Sequence, residues 1–271
     1  MITSLQNPLV KQIARLQQKA AERKSSGLFV VEGRREVSLA LRNGIPTEYL
    51  LMCREIHQPD PAYPADLPPS QGKKLLEVSR DVYNKLAYRE NTEGVLIVAR
   101  KQEFPLKSIR VRQNPLILVL EGVEKPGNLG AIMRTADAAG VDAVLICDPA
   151  TDIYNPNVIR SSLGCVFTLP VIACSPEEAL RWIREKAESS GSVPKVFAAA
   201  LQTDKLVYAA DFTGFTVLVF GAEDKGLSGA WRDAADLLVK IPMAGNIDSL
   251  NVSVSVAIMT FEAVRQRYAS Q

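Results

Sequence analysis

Histidine and cysteine are scarce in this chain, and the scarcity removes several chemistries at once. Its 271 residues include one histidine, His57, and four cysteines, Cys53, Cys147, Cys165 and Cys174. No C-x-x-C pair occurs, so a zinc site of thiolates and imidazoles cannot be assembled and no metal is expected. A conventional His-based catalytic triad is excluded on the same inventory, and His57 falls in a Pro-rich polar stretch that reads as exposed. Cys147 and Cys174 lie within or at the ends of apolar strand-like runs and read as small buried hydrophobes of a reducing cytosol. Nowhere do eighteen apolar residues run together, and the N-terminus has no apolar signal region. A cytoplasmic protein without a membrane association is therefore expected. No G-x-G-x-x-G follows any strand-like run, which counts against a dinucleotide-dependent oxidoreductase and against ordinary Rossmann methyltransferases.

What the chain does have is length and apolar content, 47% of its residues, enough for one large core or two ordinary ones. The formal charge of +2 is too small to imply nucleic acid by itself, but its distribution is uneven. Residues 1–42 hold eight Lys or Arg against three Glu. Residues 3–24 read as an amphipathic helix with Ile13, Leu16 and Ala20 on one side. Lys11, Arg15, Lys19 and Arg23 recur every four residues on the other. That stripe is either a solvated face or a contact for a polyanion.

Alternating short β-like runs and helical stretches over residues 1–100 predict a small α/β domain, interrupted by a surface loop from Gln58 to Gly72 that carries five prolines. Residues 101–114 mix charge with Pro105 and read as a linker. From 115 to 271 strands and helices alternate regularly: β at 116–121, helix at 128–139, β at 143–147, short helix at 156–163, β at 169–173. A helix over Pro176 to Ser189 follows, opened by Ser175 and Glu178 as a capping box. Then come β at 195–200 and 216–220, a helix near 227–235, β at 237–241 and a final helix at 249–268. Such alternation implies a mostly parallel sheet covered on both faces, an α/β/α architecture.

Three separated stretches place Gly, Asn, Ser or Pro at the carboxyl ends of apolar runs, where open α/β sheets gather ligand-binding loops. The first is Asn128-Leu-Gly130 running to Arg134, with Gly127 and Gly130 permitting a tight turn and a helix start that favours phosphate. The second is Gly221-Ala-Glu223-Asp-Lys-Gly226-Leu227 after the strand Thr216–Phe220; its glycine spacing is not that of a Walker A loop. The third is Ile241-Pro-Met243-Ala-Gly245 running to Ser249-Leu250-Asn251. There Gly245 permits a positive φ, and Ser249 is placed to cap a helix rich in small and β-branched residues. Taken singly, each reads as well as a capped helix or a plain strand-to-helix turn.

In this order and at these internal spacings the three stretches resemble the signature motifs of the SpoU (TrmH-type) family, the ribose 2′-O-methyltransferases of the knotted SPOUT class. The resemblance runs from about Pro115 to the end of the chain. The phrases Phe29-Val-Val-Glu32-Gly33 and Glu93-Gly94-Val-Leu-Ile-Val98 resemble the substrate-binding domain that precedes the catalytic domain in many SpoU proteins. The resemblance implies a trefoil knot, a homodimer, S-adenosylmethionine as cofactor and RNA as substrate, with ribosomal RNA preferred to transfer RNA because of the extra N-terminal domain.

Transfer of a methyl group to a ribose hydroxyl requires a cofactor pocket, an activated 2′ oxygen and their alignment. By resemblance, Arg134, Asn128, Glu223, Ser249 and Asn251 form the catalytic end, while Gly221, Ile241, Met243 and Leu250 surround the cofactor. Arg134 acts either as base or as electrostatic stabiliser of the developing alkoxide. Glu223 orders the site through neighbouring amides or through Arg134. Lys11, Arg15, Arg34, Arg35 and Arg160 are the candidate RNA contacts, Arg160 being equally suited to a surface ion pair. A non-catalytic RNA-binding protein of the same fold would be expected to have lost Arg134, Asn128 or Asn251, and all three are present.

Overall fold

A computed structural model of the chain describes residues 1–58, 74–102 and 104–269. Apart from Gln58, the proline-rich loop expected up to Gly72 lies outside them. Packing divides the chain into two compact units, Met1–Glu103 with Asp152–Thr168, and Phe104–Thr151 with Leu169–Gln271.

In the first unit, α1 (Pro8–Gln18) opens with Asn7, whose side chain accepts the Leu9 amide at 2.9 Å, and with Pro8 at the first helical position. Val10, Ile13 and Leu16 form its buried face. The single helix expected over residues 3–24 is in fact two. Lys19 is extended (φ −118°, ψ 115°), and α2 (Ala20–Ser26) starts afresh beyond it. The break turns Arg23 away from the basic stripe and into the interior. There it donates to Leu16 O and to Asp152 Oδ2, both at 2.7 Å, and is only 2% exposed.

Strands β1 (Leu28–Glu32), β2 (Thr47–Met52), β3 (Lys74–Glu77) and β4 (Val95–Arg100) form a sheet in the order β1-β4-β2-β3. β4 is antiparallel to both neighbours, and β2 and β3 run parallel. Helices α3 (Arg34–Arg42) and α4 (Arg80–Leu86) complete the N-terminal part. His57 is half-buried rather than exposed, its Nδ1 lying 3.3 Å from the Glu93 carbonyl. Residues 152–168, read from sequence as part of the C-terminal domain, pack in this unit. Tyr154 and Phe167 stack on the fully buried Phe29 of β1, with ring centroids 4.2 and 6.1 Å away.

The second unit is built on six strands, β5 (Leu116–Glu121), β6 (Ala143–Cys147), β7 (Val171–Cys174), β8 (Lys195–Ala199), β9 (Thr216–Phe220) and β10 (Leu237–Val239), in the order β10-β8-β9-β5-β6-β7. Every pairing is parallel. β5, β6 and β9 are buried along their whole lengths, as their unbroken apolar runs require of strands covered on both faces. Around the sheet run α5 (Pro126–Ala138), α7 (Pro176–Ser190), α8 (Gly229–Ala234) and α9 (Val252–Ala269); α6 is the Pro156–Ser161 helix of the first unit. The capping box at α7 is formed, Ser175 Oγ accepting the Glu178 amide at 3.2 Å and Glu178 Oε2 the Ser175 amide at 2.8 Å. Residues 104–114 are packed rather than a free linker, with Ile109 buried in the core alongside Ile117, Trp182 and Val217.

Candidate active site

The carboxyl ends of β8, β9 and β10 open into a cavity of about 530 Å³ within the second unit. A parallel sheet places helix N-termini and loop backbone at that edge, and the volume falls in the range of small-molecule sites, about 300–1,000 Å³. Its floor is apolar, from Phe220, Leu238, Val239 and Met259. Its rim is polar, from Lys125, Glu223, Asp224, Lys240 and Asn251.

Each wall has a local cause. After β9 the chain folds into a closed loop in which Ala222 and Gly226 exchange backbone hydrogen bonds of 3.2 and 3.0 Å, with Gly226 at φ +66°. Gly221 is demanded by this closure. A Cβ there would lie 2.3 Å from Gly226 C and 2.6 Å from Leu227 N. The far end of the loop is fastened by Glu121, a buried carboxylate at the end of β5 whose Oε2 accepts the Ser228 amide at 2.7 Å. The third wall is the 240–251 segment leading into α9.

Glu223 is the meeting point of the three motifs. Asn128 Nδ2 donates to its Oε1 at 2.7 Å, Asn251 Nδ2 approaches the same oxygen at 3.5 Å, and Lys125 Nζ donates to Oε2 at 2.5 Å. Asn251 Nδ2 also reaches Asn128 Oδ1 at 3.2 Å. The hydrogen bond to Glu223, and then its charge, hold the Lys125 ammonium above the usual lysine range. The partners of Glu223 are thus side-chain amides and a lysine, and no bond joins it to Arg134 among the described residues. Lys125 was not singled out from sequence; the one available signal was its place directly before Pro126, which starts the helix of the first motif.

The cavity brings together most of the predicted residues: Gly221, Glu223, Ile241, Met243, Ser249, Leu250 and Asn251 line it. Asn128 joins through its bonds to Glu223 and Asn251. Arg134 is exposed on α5 and is not among the lining residues. Three expectations about the motifs are corrected by the backbone. α5 begins at Pro126, so Gly127 and Gly130 sit inside the helix, and neither has a positive φ. On a helix Gly127, Gly130, Ala131 and Arg134 share one face, on which Gly130 is buried and Arg134 exposed. Gly245 has no positive φ. Finally, α9 starts at Val252, and its cap is Asn251, whose Oδ1 accepts the Ser253 amide at 2.9 Å and hydroxyl at 2.6 Å. Ser249 instead meets Asp248 at 3.3 Å.

The predicted RNA contacts lie in the first unit. Lys11, Arg15, Arg35 and Arg160 are exposed, Arg15 facing Glu22 at 3.5 Å. Arg34 is turned inward, donating to Gln58 O at 2.6 Å and lying 3.8 Å from Glu93. Arg160 borders a small cleft with Tyr88 and Arg89.

Chains of known structure that share this fold are RNA methyltransferases. An RNA 2′-O ribose methyltransferase is 40% identical, with a TM-score of 0.81 over 98% of this chain and 99% of its own. The SpoU methyltransferase AviRb from Streptomyces viridochromogenes, solved in complex with the cofactor AdoMet, gives a TM-score of 0.87 at 32% identity over 97% of this chain and 100% of its own. By sequence, a 23S rRNA (uridine(2479)-2′-O)-methyltransferase of Streptomyces viridochromogenes is 33% identical over 254 residues, 92% of this chain and 87% of the relative. The chain belongs to the SpoU rRNA methylase family, whose model matches residues 115–261. Residues 7–97 match the MRM3-like substrate binding domain.

The cavity suits the family's cofactor, S-adenosylmethionine, on its own chemistry. An adenosyl ring system needs apolar walls and nearby backbone polar groups, and it meets Leu238, Val239, Leu250 and Met259 beside the 199–202 and 239–243 segments. The charged amino-acid end needs polar neighbours, and the cavity rim supplies them.

Proposed function

We propose that this protein transfers a methyl group from S-adenosylmethionine to a ribose 2′-hydroxyl of ribosomal RNA, acting in the cytoplasm as a homodimer. The observation that carries the reading is the convergence of Asn128, Glu223 and Asn251, one from each motif, at the rim of a cavity of cofactor size. When bound, S-adenosylmethionine supplies an electrophilic methyl carbon.

The remaining work falls to the chain's own residues. Gly221, Ile241, Met243 and Leu250 shape the walls against which the cofactor lies. Glu223 already accepts donors on both oxygens, so it orders the two asparagine amides rather than serving as proton acceptor. Asn128 keeps one amide hydrogen beyond its bond to Glu223 and orients the ribose, held in place by Asn251. Arg134 is a donor only; its guanidinium holds the developing alkoxide, the hydroxyl proton passes to solvent water, and S-adenosylhomocysteine leaves as the methyl–sulfur bond breaks. Ser249 supports the same end of the cavity.

Grip on RNA is assigned to the first unit, through Lys11, Arg15, Arg35 and Arg160; Arg34, engaged with Gln58 and Glu93, is withdrawn from that set. Ribosomal RNA is favoured over transfer RNA because a relative that matches across both units is named a 23S rRNA methyltransferase. The homodimer and the trefoil knot follow from the resemblance. The dimer is further supported by Val254, Phe261 and Tyr268, exposed apolar residues at seven-residue spacing along α9. Among the described residues no helix is long and apolar enough to cross a membrane.

The test is transfer of labelled methyl groups to total RNA, followed by mapping of 2′-O-methyl positions. Arg134→Ala is expected to fold and bind cofactor while losing at least a hundredfold in transfer, the scale of removing one oxyanion donor, about 10²–10³. Near-normal turnover in that variant removes Arg134 from the mechanism, and absence of any 2′-O-methyl product from the wild type overturns the reading.

A further inference from the structure

Lys125 precedes Pro126 at the N-cap of α5, and its side chain makes no capping hydrogen bond. It bonds Glu223 instead and stays 68% exposed. An exposed ion pair of this kind contributes little to stability. Nor does Glu223 depend on the lysine, since its Oε1 has Asn128 and the side chain is 37% exposed, open to water at Oε2. The pair therefore calls for another explanation.

Counting hydrogen-bonding capacity supplies one. An ammonium has three donors, and Glu223 engages one of them. Asn128 keeps one of its two amide hydrogens, both of Asn251's being given to Asn128 and Glu223, and the positive end of α5 lies beside it. Among the described residues Glu223 is the one carboxylate hydrogen-bonded to this group, and both of its oxygens are engaged. This corner of the rim has donors to spare, and the ligand it suits is anionic and rich in acceptors.

We infer that Lys125 is a substrate-contacting residue that binds the phosphate flanking the methylated ribose, fixing the 2′ oxygen against the Asn128–Asn251 pair. The inference rests on the proposed RNA methylation by this site. Every ribose in RNA carries a phosphodiester close to its 2′-hydroxyl, and a lysine ammonium is a compact point charge suited to it. Glu223 then serves as the partner that parks the ammonium before RNA arrives.

The experiment takes wild type, Lys125→Gln and Lys125→Arg with an RNA fragment spanning the methylated position found by mapping. It follows the RNA Kd across a salt series, the S-adenosylmethionine Kd by calorimetry, and single-turnover methyl transfer. For Lys125→Gln we expect RNA binding weakened about tenfold, and a slope of log K against log salt shallower by about 0.7, the value of one single-strand phosphate. Cofactor affinity should stay within about twofold, and Lys125→Arg should restore most of the RNA affinity. An unchanged slope and RNA Kd overturns the inference. So does weakened cofactor binding with RNA binding intact, which assigns the lysine to the cofactor's carboxylate. A wild type that methylates no RNA overturns the functional reading first, and this inference with it, so the two failures are told apart.

Discussion

Replacing Gly221 by alanine tests how the second motif is built. The added Cβ would sit 2.3 Å from Gly226 C, 2.4 Å from Gly226 O and 2.6 Å from Leu227 N. Ordinary contact begins near 3.4 Å, so the 226–227 backbone must retreat by about 1 Å. Gly221 cannot yield, because it directly follows Phe220, the last residue of the buried central strand β9. The loop must move, which breaks the reciprocal Ala222–Gly226 bonds; each is worth about 1 kcal/mol net. Overpacking alone costs about 1–3 kcal/mol, so with the two lost bonds the whole penalty is about 3–5 kcal/mol. If the loop resists, the loss appears as a Tm lowered by about 6–20 °C. If it swings into the cavity, about 2 kcal/mol appears as a roughly 30-fold weaker Kd for S-adenosylhomocysteine. Thermal unfolding by circular dichroism and titration calorimetry read the two channels separately. Gly245→Ala is the matched control in the third motif. Its Cβ meets nothing within 4 Å and its φ is not positive, so it should leave both quantities unchanged. A Gly221→Ala protein with wild-type Tm and wild-type affinity would refute the close-approach argument.

Glu32, buried in the first unit, accepts the Tyr88 amide at 2.6 Å on Oε2, while Oε1 is buried without a partner. Burial pushes its carboxyl above the ordinary 4.5, against the opposing pull of the Tyr88 bond and the Arg89 charge. As pH rises the unfolded chain ionises there first, so this group erodes stability as pH climbs from 4.5 through the raised folded value. Glu32→Gln should melt higher than wild type at pH 8, with the gap closing toward pH 4; no gain at pH 8 would show that the buried charge carries no net cost. Arg267, near the end of α9, donates to the carbonyls of Phe212, Asn114, Pro115 and Gly214 at 3.0, 2.7, 3.1 and 2.7 Å. Arg267→Ala should lower the urea-unfolding free energy by about 3 kcal/mol, given about 1.5–3 kcal/mol for a charged hydrogen bond and incomplete additivity; a loss under about 1 kcal/mol would mean that water replaces the guanidinium. Asn251→Ala removes the cap of α9 and should cost about 1 kcal/mol, together with a larger drop in methyl transfer; equal effects on stability and rate would reduce Asn251 to a cap.

How much of this was legible in the sequence follows from the range of each interaction. The strands of the second unit could be read because burial on both faces forces continuous apolar runs such as Leu116–Glu121 and Thr216–Phe220. The α7 capping box was readable because its partners are three residues apart. Errors begin where a residue's role depends on something distant. Arg23 fits a basic surface stripe until Asp152, 129 residues away, draws it inside. The 152–168 segment looks like part of the C-terminal alternation, yet Tyr154 and Phe167 are held by Phe29. Helix starts slipped for the same reason. Ser249 and Asn251 are equally good caps by type, and the choice went to the asparagine that also bonds Asn128. Gly221, read by resemblance as a neighbour of the cofactor, lines the cavity and also closes its own loop, where a Cβ would strike Gly226 and Leu227. Lys125 went unmarked because its meaning lies in Glu223, 98 residues along the chain. Local chemistry therefore identifies which residues can act. Long-range contacts decide which of them share a site, and here they gather one side chain from each motif onto a single carboxylate, which is why removing Glu223 should disorder Asn128 and Asn251 together rather than either alone.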